Sequence, residues 1–270
     1  MAKSRNPVIE FDRLQMYFGE PYHINIEDTR GEITIYSPTI GELIEIGEKR
    51  FYQTLNVFCT NTTANRLMLW EAGLDWNELS DFELFTLLIQ TVDPDVCRIF
   101  FKDLDLRKFE RMGKQIGEEN KQVLILYDAE DDIEINEQVY YHVSQYMRSM
   151  FNIFPEEKFT NSPHLKQWFI DADKREKANE EFKRKKNGYS YSSMLQSQVS
   201  AYINHPGTKY KLHELKEVNI CEFFDSLQRL QIYESATALM KGMYSGFVDG
   251  KKIKPEEYNF MREIKTDYKS

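Results

Sequence analysis

Apolar residues recur at helical spacing along most of this 270-residue chain, and several of these stretches open with the residues of a helix N-terminal cap. Thr39 with Glu42, and Ser80 with Glu83, have the spacing of a capping box, in which two side chains satisfy two free backbone amides. Only a helix brings residues three and four positions apart onto one face, so this pattern restricts the chain to folds built from packed helices. We therefore expect a mainly α protein.

Seven helices are predicted from these signals. They cover residues 37–58, 63–71, 80–92, 136–154, 162–187, 191–203 and 220–244. Gly73 and Gly188 are expected to end the second and the fifth of them. The first is interpreted as one continuous helix with a largely apolar face, which is formed by Ile40, Leu43, Ile44, Phe51, Leu55 and Phe58.

Short runs of alternating or β-branched residues predict a small β component. Residues 32–36, with the sequence EITIY, predict a short strand near the N-terminus. Residues 99–101, 106–112 and 122–127 are predicted as short strands that are joined through Gly113 and Gly117. These strands would form a small insertion between the helices.

The expected fold class is therefore mainly α, a multi-helix globular bundle with a short N-terminal strand and a small β-hairpin insertion (α+β). Four segments are predicted: an N-terminal strand plus helical core with an aromatic face (residues 1–92), a small β insertion (93–135), a C-terminal helical lobe (136–250) and a peripheral tail (251–270). No internal repeat or sustained heptad pattern is present, which argues against a solenoid or a coiled coil.

Charge and composition narrow the classes of function. The net charge of −9 and the pI near 5.2 argue against broad, non-specific binding to nucleic acid or to an anionic membrane. No apolar stretch is long enough to cross a bilayer, and the first residues lack the apolar core of a secretion signal. Three widely spaced cysteines fit buried thiols in a reducing cytosol. We expect a cytoplasmic protein.

The strongest candidate for metal binding is an acidic loop. Clustered carboxylates can supply the oxygen ligands that calcium or magnesium prefers. The spacing departs from that of an EF-hand, because Ile133 stands where a glycine is needed and Val139 where a bidentate glutamate is needed. A solvated loop that leads into a helix is the favoured interpretation, and a metal-dependent enzyme is the alternative. The carboxylates of the loop are Asp128, Glu130, Asp131, Asp132 and Glu134.

Other catalytic and cofactor patterns are missing from the sequence. Its five histidines, at positions 23, 142, 164, 205 and 213, have no zinc-ligand spacing, and no glycine-rich phosphate loop is present. We expect no enzyme activity, no cofactor and no resident metal. The basic run at residues 183–186 suits the C-terminus of an exposed helix, where cations are favourable; contact with nucleic acid is the less favoured alternative.

Aromatic side chains are unusually dense between residues 51 and 82. Such side chains dominate the energetics of protein interfaces, and they also fill protein cores. Two interpretations stay open: a groove that holds a partner polypeptide between the first helices, and ordinary internal packing. The candidate partner-binding residues are Phe51, Tyr52, Phe58, Trp70, Trp76 and Phe82.

Three blocks of the sequence resemble a group of tailed-phage proteins from phages of Gram-positive hosts. The blocks are residues 38–52 (PTIGELIEIGEKRFY), 66–85 (RLMLWEAGLDWNELSDFELF) and 223–253 (FFDSLQRLQIYESATALMKGMYSGFVDGKKI). Proteins of this group are commonly labelled tail assembly chaperones. The resemblance implies binding of the tape measure protein, which is kept soluble in the host cytoplasm until tail tube protein polymerises around it.

Alternative functions remain beside this hypothesis. A structural virion or scaffold protein of the phage would stay in the finished particle, whereas a chaperone would leave. Self-association is compatible with either. A nucleic-acid-binding protein and a metal-dependent enzyme are the less favoured readings of the basic run and of the acidic loop.

Overall fold

Helices dominate the structure, as the sequence predicts. The computed structural model describes residues 9–116, 121–188 and 191–264. Its α-helices are α1 (Arg13–Tyr17), α2 (Ile40–Ile46), α3 (Glu48–Cys59), α4 (Arg66–Glu71), α5 (Asp81–Leu88), α6 (Pro94–Phe101), α7 (Glu137–Phe151), α8 (Pro163–Asn187), α9 (Met194–Asn204) and α10 (Ile220–Tyr244). Its strands are β1 (Tyr22–Ile24), β2 (Ile33–Ile35), β3 (Glu110–Ile116), β4 (Lys121–Asp128) and β5 (Ile133–Ile135). Short 3₁₀ helices cover Ile89–Thr91, Leu106–Lys108, Glu214–Glu217, Gly250–Lys252 and Pro255–Tyr258.

Both predicted capping boxes are present. The Glu42 carboxylate accepts from the backbone N–H of Thr39 at 2.8 Å, and the Thr39 hydroxyl accepts from the N–H of Glu42 at 3.2 Å. The pair at the start of α5 has the same arrangement, with distances of 2.7 and 3.1 Å. Each box satisfies amides that have no partner within the helix, which fixes where α2 and α5 begin.

The prediction of one continuous helix over residues 37–58 is wrong. Gly47 has φ of +94°, a conformation that L-residues with side chains rarely adopt, and it separates α2 from α3. The chain changes direction there. As a result Phe51 in α3 is buried, whereas Ile44 in α2 remains 49% exposed.

The β component agrees with the prediction in part, and two of its strands, β1 and β5, were not predicted. β2 confirms the strand expected within residues 32–36, and it pairs antiparallel with β1. β3, β4 and β5 form a second antiparallel sheet in that order. Residues 122–127 lie in β4, and the strand predicted from residue 106 begins at Glu110 after a 3₁₀ turn. Gly113 lies inside β3, opposite Leu124, and Gly117 falls outside the described residues.

The strand predicted at residues 99–101 is wrong, because these residues end α6. The Asp93 side chain accepts from the N–H of Asp95, and Pro94 occupies the first turn, so a cap and a proline start a helix here. Of the residues that indicated a strand, Phe100 and Phe101 lie on the buried face of this helix, whereas Ile99 is partly exposed. That face is formed by Val96, Cys97, Phe100 and Phe101.

One hydrophobic cluster extends from Met16 to Phe223 and therefore draws on the first three predicted segments. α2 and α10 begin side by side at its edge, since Ile40 N donates to Val218 O at 3.0 Å and Ile220 N to Pro38 O at 2.8 Å. A smaller cluster packs the first half of α8 against α4 and α5. Its buried residues are Leu69, Trp76, Leu84 and Ile170.

Polar groups are buried beside the main cluster. The Arg148 guanidinium, in α7, donates to the carbonyl oxygens of Cys59 at 2.9 Å and Thr60 at 2.6 Å, and it lies 3.9 Å from the Asp81 carboxylate. The Asn61 side chain donates to the carbonyl oxygen of Glu156 at 3.1 Å. These bonds join α3, α7 and the irregular segment that leads to α8.

The tail that the sequence predicts as peripheral folds back along α10. The guanidinium of Arg229 donates to the carbonyl oxygens of Phe260 at 2.9 Å and Arg262 at 2.7 Å. The Phe260 ring also meets the Tyr233 ring edge-on, with 5.8 Å between centroids. The tail thus packs on the part of α10 that leaves the main core.

Candidate functional site: an apolar groove beside α9

The six aromatic residues proposed for partner binding lie in different environments. Phe51, Phe58, Trp76 and Phe82 are buried, with Phe51 and Phe58 packed against the rings of Phe100 and Phe101 and Trp76 in the smaller cluster. Trp70 is exposed on α4, and Tyr52 is half-buried at the edge of α3. In this fold the four buried rings have no surface to offer to a partner.

An open groove lies nearby, between α2 and the start of α3 on one side and α9 on the other. Its volume is about 580 Å³, which falls within the usual range for ligand pockets of about 300–1,000 Å³. The lining is mostly apolar. The apolar residues that line it are Leu43, Ile44, Leu195, Val199, Ile203 and Leu212.

The break at Gly47 creates one wall of this groove. Ile44 would be expected to join the buried face of a continuous helix, but the turn at Gly47 leaves it facing the groove. α9 forms the opposite wall and is held to the core by two buried side chains, Leu195 and Tyr202. Tyr202 packs edge-on against Phe223 of α10, with 5.6 Å between centroids.

Glu48 connects the two walls. One oxygen of its carboxylate accepts from the backbone N–H groups of Met194 at 3.1 Å and Leu195 at 3.0 Å, at the N-terminus of α9. Desolvation acts to raise the pKa of Glu48, but hydrogen bonds from Ser193 and from these amides outweigh it, so this pKa lies below its ordinary value. The carboxylate therefore stays ionised and complements the positive end of α9.

Tyr52, one of the six proposed residues, lies near this anchor but is not among the residues that line the groove. Burial, together with the nearby Glu48 carboxylate and Tyr191, raises the pKa of its hydroxyl to about 12. The phenol is thus neutral at any physiological pH. The neutral Tyr52 ring lies near the N-terminal end of α3.

α9 contains no charged residue in its eleven positions. Gln196, Ser200 and Asn204 are the polar residues of α9 that line the groove, and each offers hydrogen bonds without a fixed charge. The sequence does not predict this site, because the groove depends on the approach of α9 to α2. The uncharged sequence of α9 was the one available indication.

Basic side chains from other parts of the sheet region pair with several carboxylates of the acidic loop. Lys108 approaches Glu130 at 2.7 Å, Arg30 approaches Asp132 at 3.1 Å, and Lys114 approaches Glu134 at 2.8 Å. In the described part of the chain no group of three or more His, Cys, Asp or Glu side chains has the geometry to hold a metal ion. Glu130, Asp131 and Asp132 are exposed, as the interpretation of a solvated loop requires, whereas Asp128 and Glu134 are buried.

The histidines and cysteines are dispersed through the fold. His23 contacts Glu32 at 2.7 Å, and His142 contacts the hydroxyl of Tyr22 at 2.8 Å, in different elements of the protein. All three cysteines are buried with free thiols. Burial raises the pKa of each thiol to about 12, which disfavours the reactive thiolate.

The basic run at residues 183–186 lies in the last turn of α8, as predicted. Every residue from 174 to 186 is exposed, so this half of the helix projects from the core. No helix in the described residues combines the length and the apolar character that spanning a bilayer requires.

A comparison with protein families finds a match that begins near the end of α8. Residues 182–265 match the family model described as YomV second domain. This domain family is phage-derived, which agrees with the resemblance to phage proteins seen in the sequence. The match covers 84 of the 270 residues, from the end of α8 through the tail. Comparisons with curated proteins and with solved structures gave no match.

Net charge changes sign at the boundary of the matched region. Residues 1–181 contain 20 Lys and Arg against 34 Asp and Glu, a net charge of −14. Residues 182–265 contain 14 against 9, a net charge of +5. The groove lies between these two parts, with α2 and α3 from the acidic part and α9 from the matched region.

Proposed function

We propose that this chain is a non-enzymatic phage tail assembly chaperone, which acts in the host cytoplasm and holds the tape measure protein in the groove beside α9. Tail tube protein is a further candidate partner, because it must replace the chaperone on the same client. Support comes from the phage-derived domain at residues 182–265 and from the resemblance of the three sequence blocks to phage proteins.

The groove is the observation that carries the proposal. An open apolar surface of about 580 Å³ suits the helix-in-groove mode of recognition, in which an amphipathic helix places its apolar face between two helices. Ile44 and Leu212 are exposed at its edges and would be covered by such a helix. The uncharged wall of α9 would tolerate many client sequences, as a chaperone requires.

The charge of the acidic part supports the same function. A client that is long, helical and apolar precipitates when its apolar face stays exposed to water. A bound partner with a net charge of −14 over 181 residues gives the complex a strong negative field, which opposes further association. Binding and solubilisation would thus be carried by different surfaces of one chain.

The test is coexpression with the tape measure protein encoded by the same phage, with the soluble fraction of that client as the readout. The variant Ile44→Asp places a charge in the groove and is expected to return the client to the insoluble fraction. Leu165→Asp is the matched control, since Leu165 is also 49% exposed but lies on α8 away from the groove. Thermal melting of each variant alone verifies that it is folded.

Two outcomes would reject this function. The client could be equally insoluble with and without the chain, which removes the chaperone activity itself. Alternatively, mass spectrometry could find the chain in purified virions at the abundance of a structural subunit. That result would favour the structural or scaffold alternative, because a chaperone leaves the particle.

A further inference from the structure

We infer that the chain self-associates head to tail, with the tip of α10 from one copy seated in the groove beside α9 of the next copy. The tip is defined as residues 241–252, which include the end of α10 and the turn that follows it. The proposal uses the groove but does not depend on its binding a tape measure protein.

The tip presents two aromatic rings to solvent. Tyr244 is 85% exposed and Phe247 is 90% exposed, and they lie three positions apart in the sequence. Their exposed fractions are larger than that of any other large hydrophobic side chain in the described residues. Aromatic side chains that protrude in this way are typical anchors of protein interfaces.

The turn that carries these rings has defined internal contacts. Gly246 has φ of +76° and ends α10, after which the N–H of Val248 donates to the carbonyl oxygen of Gly242 at 3.1 Å. The Val248 side chain packs directly on Gly242, where a Cβ would lie 2.7 Å from it. Since Val248 turns inward, its neighbour Phe247 points outward.

The tip does not fill the groove of its own chain, since none of residues 241–252 lines it. Leu230 is the last residue of α10 that packs against the main cluster. Tyr244 follows it by fourteen positions, which corresponds to about 20 Å at the rise of an α-helix. A second copy therefore has to supply the tip that fills the groove.

Charge and size favour this occupant. The tip carries Lys241, Lys251 and Lys252 against a single carboxylate, Asp249. The facing wall, residues 40–48, carries three glutamates and no basic residue, although Lys49 and Arg50 follow it in α3. α9 is uncharged, although Lys211 stands next to the lining residue Leu212. The groove volume suits two large rings, because pockets of this size commonly hold drug-sized ligands.

Each copy carries one tip and one groove, so the contact is heterologous. Repetition of such a contact gives a ring if the rotation between copies closes and an open chain if it does not. We expect the mean mass in solution to rise with protein concentration. Added salt should weaken the association, because part of the attraction is between exposed charges.

The experiment is sedimentation velocity of the full chain and of single-surface variants. Phe247→Ser removes the tip anchor, and Ile44→Asp blocks the groove; each variant alone is expected to be a monomer, with its dissociation constant raised at least tenfold. An equimolar mixture of the two should form a 1:1 dimer, because one supplies an intact tip and the other an intact groove. Phe182→Ser is the matched control, since Phe182 is also exposed (66%) but lies on α8, and it should associate like the parent.

Three results would overturn the proposal. The parent chain could remain a monomer at all concentrations, Phe247→Ser could associate as strongly as the parent, or the mixture could remain monomeric. The last result would indicate a contact between identical surfaces. None of them bears on client solubility, and loss of the chaperone activity in coexpression would leave the self-association result unchanged.

Discussion

The acidic part of the chain and the region that matches the phage-derived family bury their apolar residues to very different extents. In the acidic part, helices and strands share one core, and even the polar residues Arg148 and Asn61 are buried and hydrogen-bonded. In the matched region, α10 passes beyond the core. Among the described residues that follow Phe223, Ala236 is the one buried hydrophobic residue.

This difference suggests that the acidic part mainly stabilises the fold, whereas the matched region offers surfaces for binding. Burial of apolar surface is the main favourable term in folding, so the acidic part should supply most of the free energy of unfolding. The matched region keeps apolar side chains on its surface, where they are free to contact other chains. Substitutions of similar chemistry should therefore have unequal effects in the two parts.

The largest expected effect is in the shared core. Phe51→Ala should lower the free energy of unfolding by about 4 kcal/mol, because it removes a fully buried ring that packs against Phe100 and Phe151. Urea denaturation followed by circular dichroism measures this loss. The neighbouring variant Tyr52→Ala, at a half-buried position, should lose less. Equal losses would contradict the assignment of Phe51 to the core.

Arg148→Ala should lower the free energy of unfolding by about 3 kcal/mol. The variant leaves the carbonyl oxygens of Cys59 and Thr60 without their buried donor. Arg148→Lys keeps the charge but cannot reproduce the paired geometry, and it should fall between the parent and the alanine variant. A loss below about 1 kcal/mol for Arg148→Ala would show that water replaces the guanidinium.

A smaller effect, about 1 kcal/mol, is expected for Arg229→Ala, which removes two hydrogen bonds that hold the tail to α10. The change should be local. Hydrogen exchange of residues 255–264 should accelerate, while exchange in α3 and α7 stays as in the parent. Acceleration throughout the protein would mean that the tail contributes to the stability of the acidic part.

Glu48 joins the two parts, and its contribution should depend on pH. Its pKa is lower in the folded protein than its ordinary value of 4.5, so its stabilising effect is present above pH 4.5 and is lost as the pH falls through the folded-state pKa. Glu48→Gln should cost less than about 1 kcal/mol at pH 7, since the site is partly exposed. The difference from the parent should shrink between pH 5 and pH 3. A difference in stability between Glu48→Gln and the parent that stays constant with pH would exclude this role. Glu45→Gln, on α2, is the control.

The smallest effect is expected at the tip of α10. Phe247→Ala should change the free energy of unfolding of the monomer by less than about 0.5 kcal/mol, because the ring is almost fully exposed. Phe247→Ala and Phe51→Ala make the same substitution, so the difference between their changes in the free energy of unfolding compares the two parts directly. A large loss of monomer stability would mean that the ring packs within its own chain.

Local signals in the sequence predicted many element boundaries. The capping pairs at Thr39 and Ser80 begin α2 and α5, and α10 covers the predicted residues 220–244. Each of these signals acts through hydrogen bonds between residues at most four positions apart. Residues 99–101 were mispredicted because a buried face of a short helix and a short strand have the same composition.

The groove could not be predicted in this way. Its walls come from residues about 150 positions apart, and the glutamate that joins them looks like any other acidic residue in a helix. The resemblance to phage proteins was detectable from the sequence, and the family match agrees with it at the level of a phage-derived domain.

By itself, the sequence determined the helical fold class, most helix boundaries and the acidic balance of the chain, since these follow from local hydrogen bonding and composition. Tertiary structure decided which aromatic residues are buried and which surfaces remain open. Burial depends on the distant elements that pack against a side chain, and Phe51 and Phe247 reach opposite environments although both are phenylalanines.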